Sequence, residues 1–198
     1  MNRLKRRYYT WLHGRKFARL GKDCTYPIPT LTVEGHVEQG DHGRFRNNAT
    51  LRALGKGKVI FGTRSGTSWG VTLLANELIE IGDYTGIAEY TFITDTSWNF
   101  AGNELSYRDA PMVTRPVRIG QNCFIGSRCF IGPGVTIGDG AVIANNTLIL
   151  RDVGPLEIWM GNPARLIGHR TKNVPDATLQ RLEQLIAEQG IQSDRYKD

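Results

Sequence analysis

Few cysteines, few histidines and the lack of a long apolar run set the first limits on this chain. Its three cysteines, Cys24, Cys123 and Cys129, are an odd number without a C-x-x-C pair. That excludes a disulfide framework and suits a reducing compartment. Nowhere do the roughly 20 consecutive apolar residues of a membrane span occur. The start, MNRLKRRYYTWLHGRKF, has neither the apolar stretch nor the small-residue cleavage site of a secretory signal. The expected compartment is the cytoplasm.

Acids are missing from the first 22 residues, which carry Arg3, Lys5, Arg6, Arg7, Arg15, Lys16, Arg19 and Lys22. Subtracting these eight charges from the net +6 leaves −2 for the rest of the chain. With a nearly neutral body and no basic groove motif, no nucleic-acid partner is expected. The basic segment is interleaved with Tyr8, Tyr9, Trp11 and Phe17. It suits peripheral contact with an anionic membrane surface, a grip on an anionic ligand, or a solvated helix packed on the body.

What is present is a repeat whose period is neither 2 nor 3.6. Isoleucine recurs every sixth residue at Ile119, Ile125, Ile131, Ile137, Ile143 and Ile149, followed by Gly120, Gly126, Gly132, Gly138 and then Ala144. A second block holds Ile81, Ile87 and Ile93. The two blocks are out of phase, so the segment 96–116 is expected to leave the repeat as a protruding loop. In a hexad, one aliphatic side chain per short strand points inward, and a residue with little or no Cβ beside it lets the backbone turn closely. Three hexads return the chain above its start, which predicts an all-β parallel solenoid with stacked Ile and Val inside. Cys123 and Cys129, six apart, read as equivalent repeat positions rather than a metal pair.

Upstream, over 25–94, strand-like alternation predicts irregular early coils. After Pro175, the pattern Leu179, Leu182, Leu185, Ile186 predicts a C-terminal helix against the last coil. The expected organisation is a basic extension over 1–24, a solenoid domain over 25–170, and a helix and tail over 171–198.

The run PVRIGQNCFIGSRCFIGPGVTIGDGAVIANNTLILRDV, with GNPAR at 161–165, resembles the hexapeptide-repeat acyltransferases. The nearest groups are the maltose, galactoside and nodulation O-acetyltransferases and similar enzymes of surface-polysaccharide clusters. The resemblance is close over 79–168, looser over 30–78 and absent from the basic start. It implies a left-handed parallel β-helix and a homotrimer with active sites between subunits. It also implies acetyl-CoA as co-substrate without a metal, and a sugar or nucleotide-sugar acceptor acylated on a hydroxyl or amine.

The family's base is a histidine within I-x-D-T-x-W-H, which Ile93 to Asn99 resembles with Asn99 in the histidine position. Asn hydrogen-bonds substrate but takes no proton near neutral pH. Either Asp95 serves as base, or an amine arrives already deprotonated, or catalysis has been lost; the alternative role of Asp95 is a turn-forming acceptor. His36 or His42 reaching across a trimer interface is a further candidate. By the resemblance, Ser127, Asn145, Arg151, Asn162 and Arg165 contact the coenzyme, with departures at Asn145 and Asn146 for Ala and Gly and at Leu150 for Thr. Acceptor contacts fall to Trp98, Tyr107 and Arg108 in the loop, where subunit packing is the alternative. A noncatalytic trimeric scaffold or ligand-binding protein is the second reading, supported by Asn99. A zinc-dependent branch of the same fold is disfavoured, since His36, His42 and His169 form no ligand cluster.

Overall fold

A computed structural model describes residues 3–26, 30–100, 106 and 108–170. Among these, three parallel sheets form the faces of a three-sided solenoid. The first face stacks Arg19–Leu20, His36–Gln39, Lys58–Phe61, Leu78–Ile81, Val117–Ile119 and Thr136–Ile137. The second stacks Arg44–Phe45, Gly66–Thr67, Gly86–Ile87, Phe124–Ile125, Val142–Ile143 and Glu157–Met160. The third stacks Thr32–Glu34, Thr50–Ala53, Thr72–Ala75, Phe92–Thr94, Phe130–Ile131 and Leu148–Ile149. The chain visits the faces in turn, so each strand pairs with those one coil before and after it. This is the expected solenoid, consistent with a left-handed parallel β-helix.

The hexad isoleucines stack in register: Ile87 on Ile125 on Ile143, Ile93 on Ile131 on Ile149, and Ile119 on Ile137. All are buried, and each contributes about 1.5–3 kcal/mol of hydrophobic stabilisation. At the corners the backbones of successive coils nearly touch; a Cβ on Gly126 would lie 2.7 Å from the Asn145 nitrogen. Corner turns also need a left-handed residue, and non-glycine residues fill many of these positions: His42, Arg64, Tyr84 and Asn122 on the first edge have φ of 58°, 54°, 57° and 54°. Such residues are uncommon there, and the stacked turns hold them. Inside the corners, Cys24, Cys123 and Cys129 donate to the carbonyls of Gly40, Gly138 and Ala144 at 3.2, 3.2 and 3.1 Å. The cysteines thus occupy equivalent structural positions, and all three are free and buried.

The early coils are irregular because their strands are longer. His36–Gln39, Lys58–Phe61 and Leu78–Ile81 have 4 residues where Thr136–Ile137 has 2. The inner filling changes too, from isoleucine to a file of rings in which Phe17–Tyr26, Tyr26–Phe45 and Phe45–Phe61 lie 5.2, 5.4 and 4.9 Å apart.

Pairing begins within the basic segment, since Arg19 and Leu20 already align with Glu38 and Gln39. Before it, the helix Arg3–Gly14 leaves Tyr8 and Trp11 exposed, while His13 and, after the helix, Phe17 are buried. At the other end Arg165–His169 folds back antiparallel on Glu157–Met160 and covers the final strand's open edge. The C-terminal helix expected within 171–198 lies outside the described residues. Among the described residues no helix is long and apolar enough to cross a membrane.

Between Phe92–Thr94 and Val117–Ile119 the chain leaves the third edge, and Thr96–Trp98 pairs antiparallel with Met112–Thr114 at the base of the excursion. Val117 then aligns with Ile79. The loop is therefore inserted without disturbing the stack.

Candidate functional site

The second face carries a groove of about 1050 Å³ running across several coils. Its floor lacks side chains because Gly66 and Gly86 stand on the strand positions between Arg44 and Phe124. A Cβ on Gly86 would meet nothing within 4 Å. One wall is the first edge, where the left-handed turns project His42, Arg64 and Tyr84. The opposite wall is the second edge, with Arg46, Ser68, Glu89, Ser127 and Asn145.

Charge is unevenly distributed in this groove. Arg44, Arg46 and Arg64 occupy the end nearer the N-terminus, and neither Arg46 nor Arg64 forms an ion pair among the described residues. Further along, the Glu89 carboxylate accepts the Ser68 hydroxyl at 2.5 Å and the Ser127 hydroxyl at 2.7 Å. These two bonds, Ser68 first, hold its carboxyl below the usual carboxylate range. Ser127 donates its N–H to Asn145 Oδ1 at 2.8 Å, so the same edge continues into the next coil. The Gly161 N–H reaches Thr147 Oγ1 at 3.1 Å and brings the 161–165 segment to this edge. An anionic group at the arginine end and a polar group beside Glu89 are the chemistry such a groove accommodates.

The expected site residues fall into two sets. Ser127 and Asn145 line the groove, and Asn162 and Arg165 are exposed beyond it on the last coil. Arg151 sits elsewhere, at the third edge, with its guanidinium 5.9 Å from the Trp159 ring centre. The loop residues also belong to the third edge. Trp98 is exposed, Asn99 donates its N–H to the Pro111 carbonyl at 2.8 Å, and Arg108 is exposed; Tyr107 lies outside the described residues. Among the described residues of one copy, none at the third edge lines the groove.

Asp95 makes the hydrogen bonds of a turn-forming acceptor. Its side chain is fully buried, and Oδ2 accepts the N–H groups of Glu77 and Leu78 at 2.7 and 2.8 Å. Oδ1 accepts Asn76 N–H at 3.0 Å and Thr96 Oγ1 at 2.7 Å. Both oxygens of this carboxylate are thus engaged in holding the turn. His36 bonds Glu38 at 2.8 Å on the first face, away from the groove, whereas His42 lines it. Among the described residues no cluster of three metal-ligating side chains occurs.

Reading the sequence missed Arg44, Arg46, Arg64 and Glu89. No motif marks them, because they converge only through the stacking of coils whose lengths differ.

The profile of a family described as hexapeptide repeat of succinyl-transferase matches residues 116–151. No curated protein matches the chain. Among solved structures, AntD, an N-acyltransferase from Bacillus cereus in complex with dTDP and 3-hydroxybutyryl-CoA, is similar with a TM-score of 0.73. Its identity is 20%, over 88% of this chain and 95% of that one. A point variant of AntD in complex with dTDP-4-amino-4,6-dideoxyglucose and coenzyme A gives 0.73 at 21% identity, over 88% and 95%. The hexapeptide-repeat containing acetyltransferase VCA0836 from Vibrio cholerae gives 0.57 at 21%, over 84% and 82%. At these identities the likeness is one of fold. The repeat over 116–151, the coil geometry and the neighbours agree, and the chain has the parallel β-helix fold that these structures share.

Proposed function

We propose that the chain is an acyl-CoA-dependent acyltransferase that moves an acetyl group to a hydroxyl or amine of a sugar or nucleotide sugar. The observation that carries this reading is the groove of the second face. It joins an arginine-lined end, a polar edge at Ser68 and Glu89, and the Ser127–Asn145 line on which the resemblance puts the coenzyme arm. AntD, a neighbour of the same fold, holds dTDP and an acyl-CoA together. Ser127 and Asn145 would face the pantetheine and Asn162 and Arg165 would contact its outer parts, while Arg151, at the third edge, would reach the coenzyme only from a neighbouring copy. Holding the thioester and the acceptor side by side supplies several kcal/mol of the barrier. A place in surface-polysaccharide synthesis rests on the resemblance alone.

The working form is a homotrimer in this reading. Trp98, Phe100 and Met112 expose apolar surface on the excursion of the third edge, as a subunit contact requires. A neighbouring copy's loop would then bring Asn99, Trp98, Tyr107 and Arg108 to the groove, Asn99 as a hydrogen-bonding group and the others as acceptor contacts. Asp95 holds the base of that loop. Free, buried cysteines suit the reducing cytoplasm. The basic N-terminal helix, with Tyr8, Trp11 and Leu12 outward, suits peripheral contact with an anionic membrane surface.

Calorimetric titration with acetyl-CoA tests the proposal. Binding, weakened by Arg165→Ala and followed by release of CoA thiol when an acceptor is added, is the expected result. Failure to bind at millimolar coenzyme overturns it. Binding without turnover on any amino or hydroxy sugar favours the second reading, a noncatalytic trimer, which Asn99 and the enclosed Asp95 support.

A further inference from the structure

Among the described residues Glu89 is the one carboxylate that lines the groove, and two serines from different coils hold it in place. Ser68 lies one coil above it, and Arg46 stands one coil above Ser68 on the same edge. With coils spaced about 4.8 Å apart, as neighbouring strands are, the cationic end and Glu89 are on the order of 10 Å apart. The arrangement asks for a ligand with an anion at one end and a cation at the other.

We infer that the groove selects an acceptor whose reacting group is a primary amine, held by Glu89, and whose phosphate is held by Arg44, Arg46 and Arg64. The inference rests on the acyltransferase reading and decides between nitrogen and oxygen as nucleophile. A hydroxyl must lose its proton as it attacks, and a carboxylate kept below its usual range is a poor base for that step. An amine attacks as the neutral base, after one proton of the ammonium has passed to water. Its nitrogen becomes positive while the N–C bond forms and the C–S bond breaks, and the surplus proton leaves with the thiolate as CoA thiol. An ionised Glu89 stabilises that positive nitrogen. Ser127 couples the two substrates, since its backbone lies on the coenzyme line and its hydroxyl bonds Glu89.

The test is a comparison of dTDP-4-amino-4,6-dideoxyglucose with dTDP-glucose, each titrated into the coenzyme-loaded protein and each assayed for thiol release. The expected result is about tenfold tighter binding of the amino sugar, the size of one charge-assisted hydrogen bond, and acylation of that sugar alone. Glu89→Gln removes the preference, Glu89→Asp restores part of it, and Arg64→Ala weakens both ligands alike. Thermal melting checks that the variants fold. Equal binding of both sugars, or faster turnover of dTDP-glucose, overturns the amine inference and leaves the acyltransferase reading standing. Coenzyme binding with neither sugar bound overturns the acceptor groove itself. Absence of coenzyme binding overturns the proposed function.

Discussion

Leu78 donates its backbone N–H to Asp95 Oδ2 at 2.8 Å, which joins the start of one coil to the end of the same coil at the root of the excursion. Asp95→Asn keeps the shape but replaces an acceptor oxygen by a donor facing N–H groups. A loss of about 1–3 kcal/mol of stability is expected from these buried bonds. Urea unfolding with an unchanged slope measures it. Turnover per folded molecule should persist, and its complete loss in a fully folded variant would show that Asp95 acts in the chemistry.

Gly86 and Gly66 occupy adjacent rungs of the groove floor with opposite tolerances. A Cβ at Gly86 enters open space, whereas one at Gly66 would lie 1.9 Å from the Arg44 carbonyl oxygen. Gly86→Leu should therefore melt like the parent and lose acceptor binding by at least about tenfold, since the side chain fills the groove. Gly66→Ala should fail to fold stably. Unchanged acceptor affinity in Gly86→Leu would move the acceptor site elsewhere.

Acid should weaken the fold in a predictable window. Glu38 is held below its usual range by His36 and Arg19, Glu89 by Ser68 and Ser127, and Glu157 by the Trp159 indole and the Gly154 N–H. Each carboxyl binds its proton less readily folded than unfolded. Its stabilisation is complete above the ordinary value of 4.5 and is lost as pH falls through the lower folded value. Exposure to solvent keeps each contribution small. A melting temperature that is flat from about pH 6 to 8 and declines below about pH 4.5 is expected; a maximum in the acid range would contradict it.

All three thiols should be inert in the native protein. Burial pushes Cys24, Cys123 and Cys129 above the usual thiol range, so thiolate is scarce at neutral pH. A chromogenic disulfide reagent at pH 8 should react with them only after denaturant is added. Fast labelling of the folded chain would mean that the corners open.

The N-terminal helix offers a salt-dependent test. Trp11 is 58% exposed with the Arg15 guanidinium 5.0 Å from its ring centre, and the segment has no acid. Sedimentation with phosphatidylserine vesicles should exceed that with neutral vesicles and fall as salt rises. Trp11→Ala should reduce it. Equal recovery on both vesicle types would assign the helix to subunit or body packing.

How much of this was legible depended on range. The hexad could be read because its cause is local: each Ile points inward six residues after the last, so the inner stacks and the parallel pairing follow from spacing. The excursion was legible for the same reason, as Ile93 and Ile119 fall out of phase. The basic segment was legible as charge, but not that Arg19–Leu20 would already join the first face. Asp95 was visible as a carboxylate in a family motif; only the structure revealed its burial and the N–H groups it accepts.

The site was the harder part. Glu89 meets Ser68 across 21 residues and Ser127 across 38, with the excursion between. Periodicity within any one hexad carries no information about those meetings. By itself the sequence determined the solenoid, its interior and the place where the loop departs, because inward packing repeats every six residues. The tertiary structure alone decided that three arginines and one serine-held carboxylate share a groove, because coils of unequal length must stack before their outward side chains acquire neighbours.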